Sequence, residues 1–257
     1  MRVFVILPAA GIGTRMSSGS AAATGPATTP ATPKQFLSIA GVPVLVHCLR
    51  AFLAVPRIEA IYVAVRRPEI ERVQAQVAEF GLGSPGPGGS GPAKVHVVEG
   101  GDIRQQSVSN ALSQLVSATG CAEDDVILVH DAARPLIDPA TIDRTIDAVV
   151  EFGAAIVALP AVDTIKQVER TARGAIVTAT IPRERIVQAQ TPQGAHCGLL
   201  RRAFAEAEAD EFSGTDEAGL LERAGILVAV VPGSPRNFKI TQPGDLELAE
   251  FYLRASK

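Results

Sequence analysis

The chain has few aromatic residues, few cysteines and no long apolar segment, and each shortage excludes a class of protein. Without tryptophan and with two tyrosines among 257 residues, it lacks the stacking surfaces of single-stranded nucleic-acid binders. A net charge of −3 also excludes a general basic surface for nucleic acid. The three cysteines fit neither a zinc pattern nor a disulfide framework. No apolar run approaches the ~18 residues of a membrane span, so we expect a cytoplasmic protein without membrane contacts.

Short apolar runs alternate with amphipathic segments of helical length, in a chain that is 47% hydrophobic and 20% charged. Strands that are apolar on both faces and alternate with helices form mostly parallel sheets. We therefore expect one domain over residues 1–257, with an α/β fold and a Rossmann-like, mostly parallel sheet flanked by helices. The expected strands are Val3–Leu7, Ile58–Val65, Val95–Val98, Val126–Val129, Ala154–Leu159 and Leu227–Val231, and a further short segment of this kind is Ile186–Gln190. The expected helices are Val44–Leu53, Glu69–Phe80, Gln106–Val116, Thr141–Phe152, Gly198–Glu208 and Pro243–Leu253.

Three segments interrupt this alternation. Residues 17–32 and 82–92 are rich in Ser, Ala, Thr, Pro and Gly, a composition that buries little surface and predicts flexible loops. Two extended segments joined by a turn at Thr171–Gly174 predict a β-hairpin within residues 161–184. The pattern leaves two arrangements open: a hairpin packed on the edge of the sheet, or a protruding arm. Either one needs a partner surface, because an isolated hairpin is only marginally stable.

The segment after the first strand has the composition of a phosphate-binding loop. Pro8–Met16 reads Pro-Ala-Ala-Gly-Ile-Gly-Thr-Arg-Met, so its backbone N–H groups can approach oxyanions beside a helix N-terminus. It is not a dinucleotide-binding fingerprint, because Met16 stands where a third small residue is required. It is not a P-loop either, because Gly13 is followed by Thr14-Arg15. A simple tight turn at Gly11 and Gly13 is the alternative.

Two further groups of polar residues follow expected strands, at the edge where ligands bind to such sheets. Gly100-Gly101-Asp102 precedes a helix that contains Ser107, and Asp102 is either its N-cap or a ligand-binding residue. After the fourth expected strand, Asp131 and Arg134 form either a structural ion pair or part of a substrate surface. We interpret the neighbouring His130 as a structural residue.

A lysine in an apolar segment completes a set of potential cations. Lys239 lies within Asn237–Thr241, which resembles a strand, and its ammonium group either reaches solvent or serves a site. The other potential cations on this acidic chain are Arg15, Lys34, Arg134 and Arg183. Such a set suits a reaction in which negative charge spreads over phosphate oxygens.

Eight motifs together carry a resemblance to a known family. They are Pro8-Ala9-Ala10-Gly11-x-Gly13-x-Arg15-Met16, Pro33-Lys34-Gln35, Gly100-Gly101-Asp102, His130-Asp131-Ala132-Ala133-Arg134-Pro135, Asp163-Thr164, Thr191-Pro192-Gln193, Thr215-Asp216-Glu217-Ala218 and Lys239-Ile240-Thr241. In this order, and over essentially the whole chain, they resemble the 2-C-methyl-D-erythritol 4-phosphate cytidylyltransferase family. The resemblance implies transfer of CMP from CTP to methylerythritol phosphate, with release of pyrophosphate, in the non-mevalonate isoprenoid pathway. It also implies Mg²⁺ or another divalent cation, whose protein ligands stay open.

The resemblance also implies roles for individual residues. Those expected to bind CTP are Pro8, Ala9, Ala10, Gly11, Gly13, Thr14, Arg15, Lys34, Gly101, Asp102 and Ser107. Those expected to surround the methylerythritol phosphate are Asp131, Arg134, Thr164, Arg183, Thr191, Thr215 and Lys239. The expected catalytic residues are Arg15, Lys34, Arg183 and Lys239, with the first two at the α-phosphate of CTP. In the family the hairpin is a dimerisation arm, so we expect a homodimer in which Thr164 and Arg183 serve the neighbouring subunit's substrate.

The chain departs from the common family pattern at two places. The insert between Met16 and Pro33 is longer than the usual link, so Lys34 must fold back from a soft loop. We expect that loop to become ordered when CTP binds. Thr14 stands where some relatives carry a second arginine, which favours a backbone role at this position.

Two rival interpretations remain at this stage. One is a cytidylyltransferase for another polyol phosphate such as ribitol 5-phosphate, which shares most of the motifs; Ala9-Ala10 and Ala132-Ala133 favour the methylerythritol enzyme. The other is a nucleotide-binding regulator without turnover. The combination of Arg15, Lys34 and Lys239 argues against a regulator, because binding alone does not require cations at a reacting centre.

Overall fold

A seven-stranded sheet forms the centre of the computed structural model, which describes residues 1–11, 33–83 and 95–255. The strands are β1 (Val3–Pro8), β2 (Ser38–Ile39), β3 (Val42–Pro43), β4 (Ile58–Val65), β5 (Val95–Glu99), β6 (Val126–Val129), β7 (Ala154–Pro160), β8 (Ile165–Thr171), β9 (Gly174–Ile181), β10 (Val187–His196) and β11 (Ala229–Pro232). The helices are α1 (Val44–Leu53), α2 (Ile70–Glu79), α3 (Arg104–Thr119), α4 (Pro139–Phe152), α5 (Cys197–Ala209), α6 (Glu217–Arg223) and α7 (Gly244–Ala255). The order across the sheet is β11-β7-β10-β6-β1-β4-β5, and β10 alone runs antiparallel to its neighbours in this sheet. The predicted α/β fold with a mostly parallel sheet is confirmed.

Helices cover both faces of this sheet. Side chains of α1, α2 and α4 pack on one face, and those of α3, α5 and α6 pack on the other. Along β1, Val5 and Leu7 face the first layer, while Phe4 and Ile6 face the second, and all four are fully buried. Because both faces of such a strand are buried, its sequence is a continuous apolar run, and this is the signal that predicted it.

The bounds of α4 show how local sequence sets a helix. The Asp138 carboxylate accepts a hydrogen bond from the backbone N–H of Thr141 at 2.8 Å, and Pro139 occupies the first helical position. The helix ends before Gly153, whose φ of +86° favours glycine. It therefore begins two residues earlier than its apolar pattern predicts, because a cap and a proline carry no apolar signal.

The predicted hairpin is present as β8 and β9, which form a two-stranded sheet of their own. The hairpin does not extend the edge of the seven-stranded sheet, so the edge-packed arrangement is wrong. Its surface carries the exposed apolar side chains of Val168, Ile176 and Val177. These apolar side chains are exposed although the hairpin has only two strands to bury them.

Strand β10 is longer than its sequence suggested. The extended segment predicted near Ile186–Gln190 continues to His196 and inserts between β6 and β7. Gln190, Thr191 and Gln193 are buried polar residues in this strand, so it shows no apolar run. Because β10 runs opposite to β6, its early residues reach the edge where β6 ends, and Gln193 pairs with Val129.

Several predictions from sequence fall outside the described residues. The loop 17–32, the greater part of the loop 82–92, and Gly13, Thr14 and Arg15 belong to this group. Leu82, at the start of the second loop, is described and is buried in the core, so the loop begins later than its composition suggested. In the part of the chain that the structure covers, no helix combines the length and apolarity needed to cross a membrane.

Candidate active site

A cavity of about 300 Å³ opens at the edge of the sheet where β1, β5 and β6 end. Its lining residues are Pro8, Ala9, Ala10, Gly11, Lys34, Gln35, Gly101, Asp102, Ile103, Arg104, Ser107, Asp131, Ala132, Ala133 and Lys239. They come from segments far apart in the sequence, because the carboxyl ends of parallel strands meet at one edge. The cavity thus brings together the motifs that sequence assigned to a nucleotide and those it assigned to a second anionic substrate.

The first loop is tied to the turn that carries Lys34. Lys34–Phe36 forms a single turn of 3-10 helix, and Gln35 Nε2 donates a hydrogen bond to the carbonyl oxygen of Ala9 at 2.6 Å. Lys34 Nζ donates to the carbonyl oxygen of Ile240 at 3.4 Å, which places its ammonium group beside the segment of Lys239. Gln35 is buried, and sequence reasoning gave it no role, although its motif was singled out. Its amide fixes the position of the Lys34 turn against the loop.

The glycine turn before α3 is closed by Ser107. Its hydroxyl oxygen accepts from the backbone N–H of Gly101 at 3.1 Å and donates to the carbonyl oxygen of Ile103 at 3.0 Å. The N-cap residue of α3 is Ile103, so the N-cap interpretation of Asp102 is wrong. The Asp102 carboxylate instead lies exposed on the cavity wall, and its backbone N–H donates to Gln106 Oε1 at 3.1 Å. Asp102 is thereby available to a ligand.

Asp131 is the centre of a cluster of charges on the opposite wall. Its Oδ2 accepts from Lys239 Nζ at 2.9 Å and lies 3.7 Å from Arg134 Nε, while its Oδ1 accepts from Arg104 Nε at 3.1 Å. Arg104 also binds both carboxylate oxygens of the buried Glu217, at 2.7 and 2.9 Å. Burial raises the pKa of the Asp131 carboxyl, but Arg104, Lys239 and Arg134 outweigh this effect and lower the pKa. Asp131 is therefore ionised at neutral pH.

Lys239 does not lie in a strand, and in this respect the sequence interpretation of Asn237–Thr241 is wrong. The segment does not pair with a strand of the sheet and is held by individual hydrogen bonds. The Ile240 N–H donates to the carbonyl oxygen of Ala133 at 2.8 Å, and Arg134 Nη1 donates to that of Asn237 at 2.8 Å. These bonds attach the segment to the loop after β6 and bring the Lys239 ammonium group to Asp131.

His130 is a buried structural residue, as the sequence predicted. A backbone carbonyl can only accept, so His130 Nε2 donates to the carbonyl oxygen of Arg134 at 3.1 Å. Burial lowers the pKa of the imidazole to about 4, so the ring is neutral and its Nδ1 accepts from the Thr191 hydroxyl at 3.0 Å. The Thr191 oxygen in turn accepts from the backbone N–H of Asp131 at 3.1 Å. In this structure Thr191 thus positions the backbone of Asp131.

The neutral ring of His130 implies a pH-dependent stability. Between its ordinary pKa of 6.5 and its folded value of about 4, the unfolded chain binds a proton that the folded chain does not. The free energy of unfolding therefore falls as the pH falls through this window, and this ring is expected to cost about 2 kcal/mol between pH 7 and pH 5. Urea denaturation of the wild type and of His130→Gln at both pH values measures the effect. The variant should lose about 2 kcal/mol less than the wild type over that interval; an equal loss in both proteins contradicts the prediction.

The chain matches the sequence model of one protein family. The model for 2-C-methyl-D-erythritol 4-phosphate cytidylyltransferase matches residues 3–255. The chain belongs to this family.

Individual relatives resemble this chain over nearly their full length. The 2-C-methyl-D-erythritol 4-phosphate cytidylyltransferase of Acidobacterium capsulatum is 68% identical over 254 residues, which are 99% of this chain and 98% of the relative. That of Solibacter usitatus is 49% identical and covers 99% of this chain and 96% of its own. The crystal structure of the enzyme from Francisella tularensis superposes with a TM-score of 0.73 at 32% identity and covers 98% of this chain and 99% of that one.

Five of the seven residues that the 2-C-methyl-D-erythritol 4-phosphate cytidylyltransferase pattern assigns to the acceptor do not line this cavity, as far as the described residues outline it. Two of the five, Arg134 and Thr191, contact Asp131, which does line it. Thr164 is exposed beside the hairpin, and Arg183 follows the hairpin, where its guanidinium donates to the carbonyl oxygen of Val162. Thr215 is exposed just before α6. Three further family positions, Gly13, Thr14 and Arg15, lie outside the described residues.

Sequence reasoning missed Arg104, which lines the cavity and binds two carboxylates. One signal was present in the sequence of this cytidylyltransferase family member. Arg104 is the first residue of α3, where the positive end of the helix dipole disfavours a cation. An arginine at such a position indicates a specific acidic partner, although the partner cannot be named before the fold is known.

Proposed function

We propose that this chain transfers CMP from CTP to 2-C-methyl-D-erythritol 4-phosphate, giving 4-diphosphocytidyl-2-C-methyl-D-erythritol and pyrophosphate. The single observation that carries the proposal is the convergence of the first loop, the glycine turn and the Asp131 cluster on one cavity. Group transfer requires a donor site and an acceptor site that share a reacting centre. The relatives named above carry the same activity in their names.

The nucleotide occupies the side of the cavity formed by the first loop and the glycine turn. The small residues Ala9, Ala10 and Gly11 leave room for phosphate oxygens beside backbone N–H groups. The turn of Gly101 and Asp102 lies next to them and offers its backbone and a carboxylate to the cytosine and ribose. Lys34 stands between this side and the Lys239 segment, where it neutralises charge on the α-phosphate.

The acceptor occupies the side of Asp131 and Lys239. Its phosphate monoester is an anion near neutral pH, so one of its oxygens attacks the α-phosphorus without a strong general base. The new bond joins that oxygen to the α-phosphorus, the bond to the β-phosphate oxygen breaks, and pyrophosphate leaves with the electron pair. The chain contributes alignment of the two substrates and cations that match the developing charge.

A divalent cation such as Mg²⁺ is part of the proposal. Among the described residues, no group of three or more His, Cys, Asp or Glu side chains is arranged to hold a metal ion. Asp131 is already bound by cations, and Asp102 is the exposed carboxylate on the wall of the cavity. Because Asp131 is bound by cations and Asp102 is assigned to the nucleoside, this donor set fits an ion held chiefly by triphosphate oxygens. The ion would neutralise phosphate charge.

The tightness of the glycine turn gives a prediction for CTP binding. A Cβ at Gly101 would lie 2.4 Å from Cβ of Gln106, so Gly101→Ala must shift the turn. We expect the Kd for CTP to rise about tenfold, the equivalent of one lost hydrogen bond. Gly244→Ala is the matched control, because a Cβ there meets nothing within 4 Å. Calorimetric titration with CTP and Mg²⁺ measures both; equal affinities in the two variants contradict the prediction.

The proposal includes a homodimer formed through the hairpin arm. Two features support it: the arm exposes Val168, Ile176 and Val177, and Thr164 and Arg183 lie at its base, outside the cavity of their own chain. In a symmetric dimer these two residues reach the acceptor of the neighbouring subunit. Light scattering tests the dimer, and a monomer at the assay concentration contradicts it.

Complementation tests whether the two subunits share a site. In a shared site, Lys34 comes from one subunit and Arg183 from the other. A homodimer of Lys34→Ala or of Arg183→Ala therefore has no intact site. Co-expression then gives heterodimers with one intact site, and about a quarter of the wild-type activity is expected for random pairing. If each site uses its own Arg183, co-expression restores nothing.

Pyrophosphate release tests the proposed function and its rivals together. The assay contains CTP and Mg²⁺ with either methylerythritol phosphate or ribitol 5-phosphate, and a parallel series contains EDTA. We expect release with methylerythritol phosphate that EDTA abolishes. Release with ribitol 5-phosphate alone would identify an enzyme for another polyol phosphate, and release with neither acceptor would indicate a nucleotide-binding regulator.

A further inference from the structure

Arg104 is a cation at an unfavourable place in the fold. It is the first residue of α3, at the positive end of the helix dipole, and its side chain is 27% exposed on the wall of the cavity. The family motifs that were read from the sequence do not include it. Its position is therefore explained by its partners and not by the helix.

Those partners fix the guanidinium group in one orientation. Nη1 and Nη2 bind the two oxygens of Glu217 at 2.7 and 2.9 Å, and Nε binds Asp131 Oδ1 at 3.1 Å. The guanidinium is planar, so a bidentate pair on one edge determines where the Nε–H points. Lysine at this position keeps the charge and loses this geometry.

Glu217 is itself a fixed point of the structure. Its side chain is 2% exposed, and it begins α6. The first turn of α6 is bound to β10 by Gln193, whose Oε1 accepts from the backbone N–H of Ala218 at 2.9 Å and whose Nε2 donates to Asp216 Oδ2 at 2.8 Å. A rigid chain of contacts thus runs from β10 through Glu217 and Arg104 to Asp131.

We propose that Arg104 is a positioning residue for the acceptor: through the fixed Glu217, it sets the orientation of the Asp131 carboxylate toward the polyol phosphate. This inference rests on the proposed function. Asp131 Oδ2 is bound by Lys239 and its Oδ1 by Arg104, so the two contacts together define the plane of the carboxylate. The contribution of Arg104 is specific to the acceptor side, because its bonds lead to Asp131 and Glu217 and not to the glycine turn.

Two variants separate positioning from charge. The cluster holds the cations Arg104, Lys239 and Arg134 and the carboxylates Asp131 and Glu217, which leaves one net positive charge. Arg104→Lys and the double variant Arg104→Gln/Glu217→Gln both keep that net charge and both lose the Nε–H bond to Asp131. The double variant also removes the buried Glu217 carboxylate that would otherwise be left without a counter-ion.

We expect both variants to lose kcat/KM for the acceptor and to keep their affinity for CTP. Both variants should lose on the order of a hundredfold in kcat/KM for methylerythritol phosphate, the usual cost of a small misplacement of a reacting group. The Kd for CTP, titrated without acceptor, should stay within about threefold of the wild type, a difference below ~1 kcal/mol. Glu217→Gln keeps the Arg104 Nε–H but replaces its bidentate partner by an amide with one acceptor oxygen, and should lose less than either variant. Thermal unfolding confirms that each protein is folded.

Three results would overturn the inference. Wild-type kcat/KM in the double variant would show that Arg104 serves only to neutralise Glu217. A parallel loss of CTP affinity would show a structural role in the glycine turn. Wild-type kcat/KM in Arg104→Lys would show that the charge of Arg104, and not its bond to Asp131, is what matters. An inactive wild-type protein overturns the proposed function itself, whereas an active wild type with active variants overturns only the assignment of Arg104.

Discussion

Replacing Lys34 by alanine is expected to lower kcat by a hundredfold or more, equivalent to ~3 kcal/mol of transition-state stabilisation. Lys34 lies on the cavity wall between the first loop and the Lys239 segment, with its Nζ bound to the carbonyl oxygen of Ile240. Its turn is held by Gln35, so the ammonium group is positioned before substrate binds. A positioned cation stabilises charge that develops on the α-phosphate, and this stabilisation is lost with the side chain.

The control for this prediction is Arg254→Ala. Arg254 is an exposed cation of α7 that pairs with Glu250 at 2.8 Å and lies away from the cavity. Steady-state kinetics with both substrates in excess give kcat for the two variants, and circular dichroism checks their fold. A folded Lys34→Ala protein with kcat close to that of Arg254→Ala would falsify the role of Lys34.

Replacing Lys239 by methionine should have an effect of similar size on kcat/KM for the acceptor. The substitution keeps the apolar stem and removes the ammonium group that binds Asp131 Oδ2 at 2.9 Å. Because Arg104 still binds Asp131, the fold should survive with a loss of about 1–2 kcal/mol in the free energy of unfolding. We expect kcat/KM for the acceptor to fall on the order of a hundredfold, since both the cation and the carboxylate that it orients are affected.

Arg201→Met is the matched control for Lys239→Met. Arg201 is a half-exposed residue of α5 whose ion pair with Glu123 lies away from the cavity. Kinetics at varied acceptor concentration give kcat/KM, and urea denaturation gives the stability of each variant. The prediction fails if Lys239→Met loses as little kcat/KM as Arg201→Met, or if its loss follows unfolding alone.

The strands were predictable from sequence where both of their faces are buried. Strands β1, β4 and β6 are covered on both faces, so their sequences are continuous apolar runs with recognisable ends. Strand β10 was not recognised at full length, because its buried part at the active-site edge carries Gln190, Thr191 and Gln193. Those polar groups are satisfied by partners from other elements, such as His130 and Asp216, which a local pattern does not reveal.

The part of the candidate site that lies directly after the parallel strands was predictable from sequence. The loops after β1, β5 and β6 meet because parallel strands end at one edge, and this rule placed Gly101 and Asp131 at the cavity. The roles of Arg104 and Gln35 required the fold. Each acts through a hydrogen bond to a residue 26 or more positions away, Arg104 to Asp131 and Gln35 to Ala9. Thr191 was assigned to the acceptor, whereas the structure shows it bound to His130 and to the backbone of Asp131.

The fate of a labelled phosphorus atom tests the central claim most directly. The chain is incubated with Mg²⁺, methylerythritol phosphate and CTP labelled either at the α- or at the γ-phosphorus, and the products are separated. We predict that the α-label appears in the diphosphate-linked cytidyl product and that the γ-label appears in pyrophosphate. An α-label that stays in free CMP, or a γ-label that appears in inorganic phosphate or in the acceptor, would contradict transfer of CMP at this cavity.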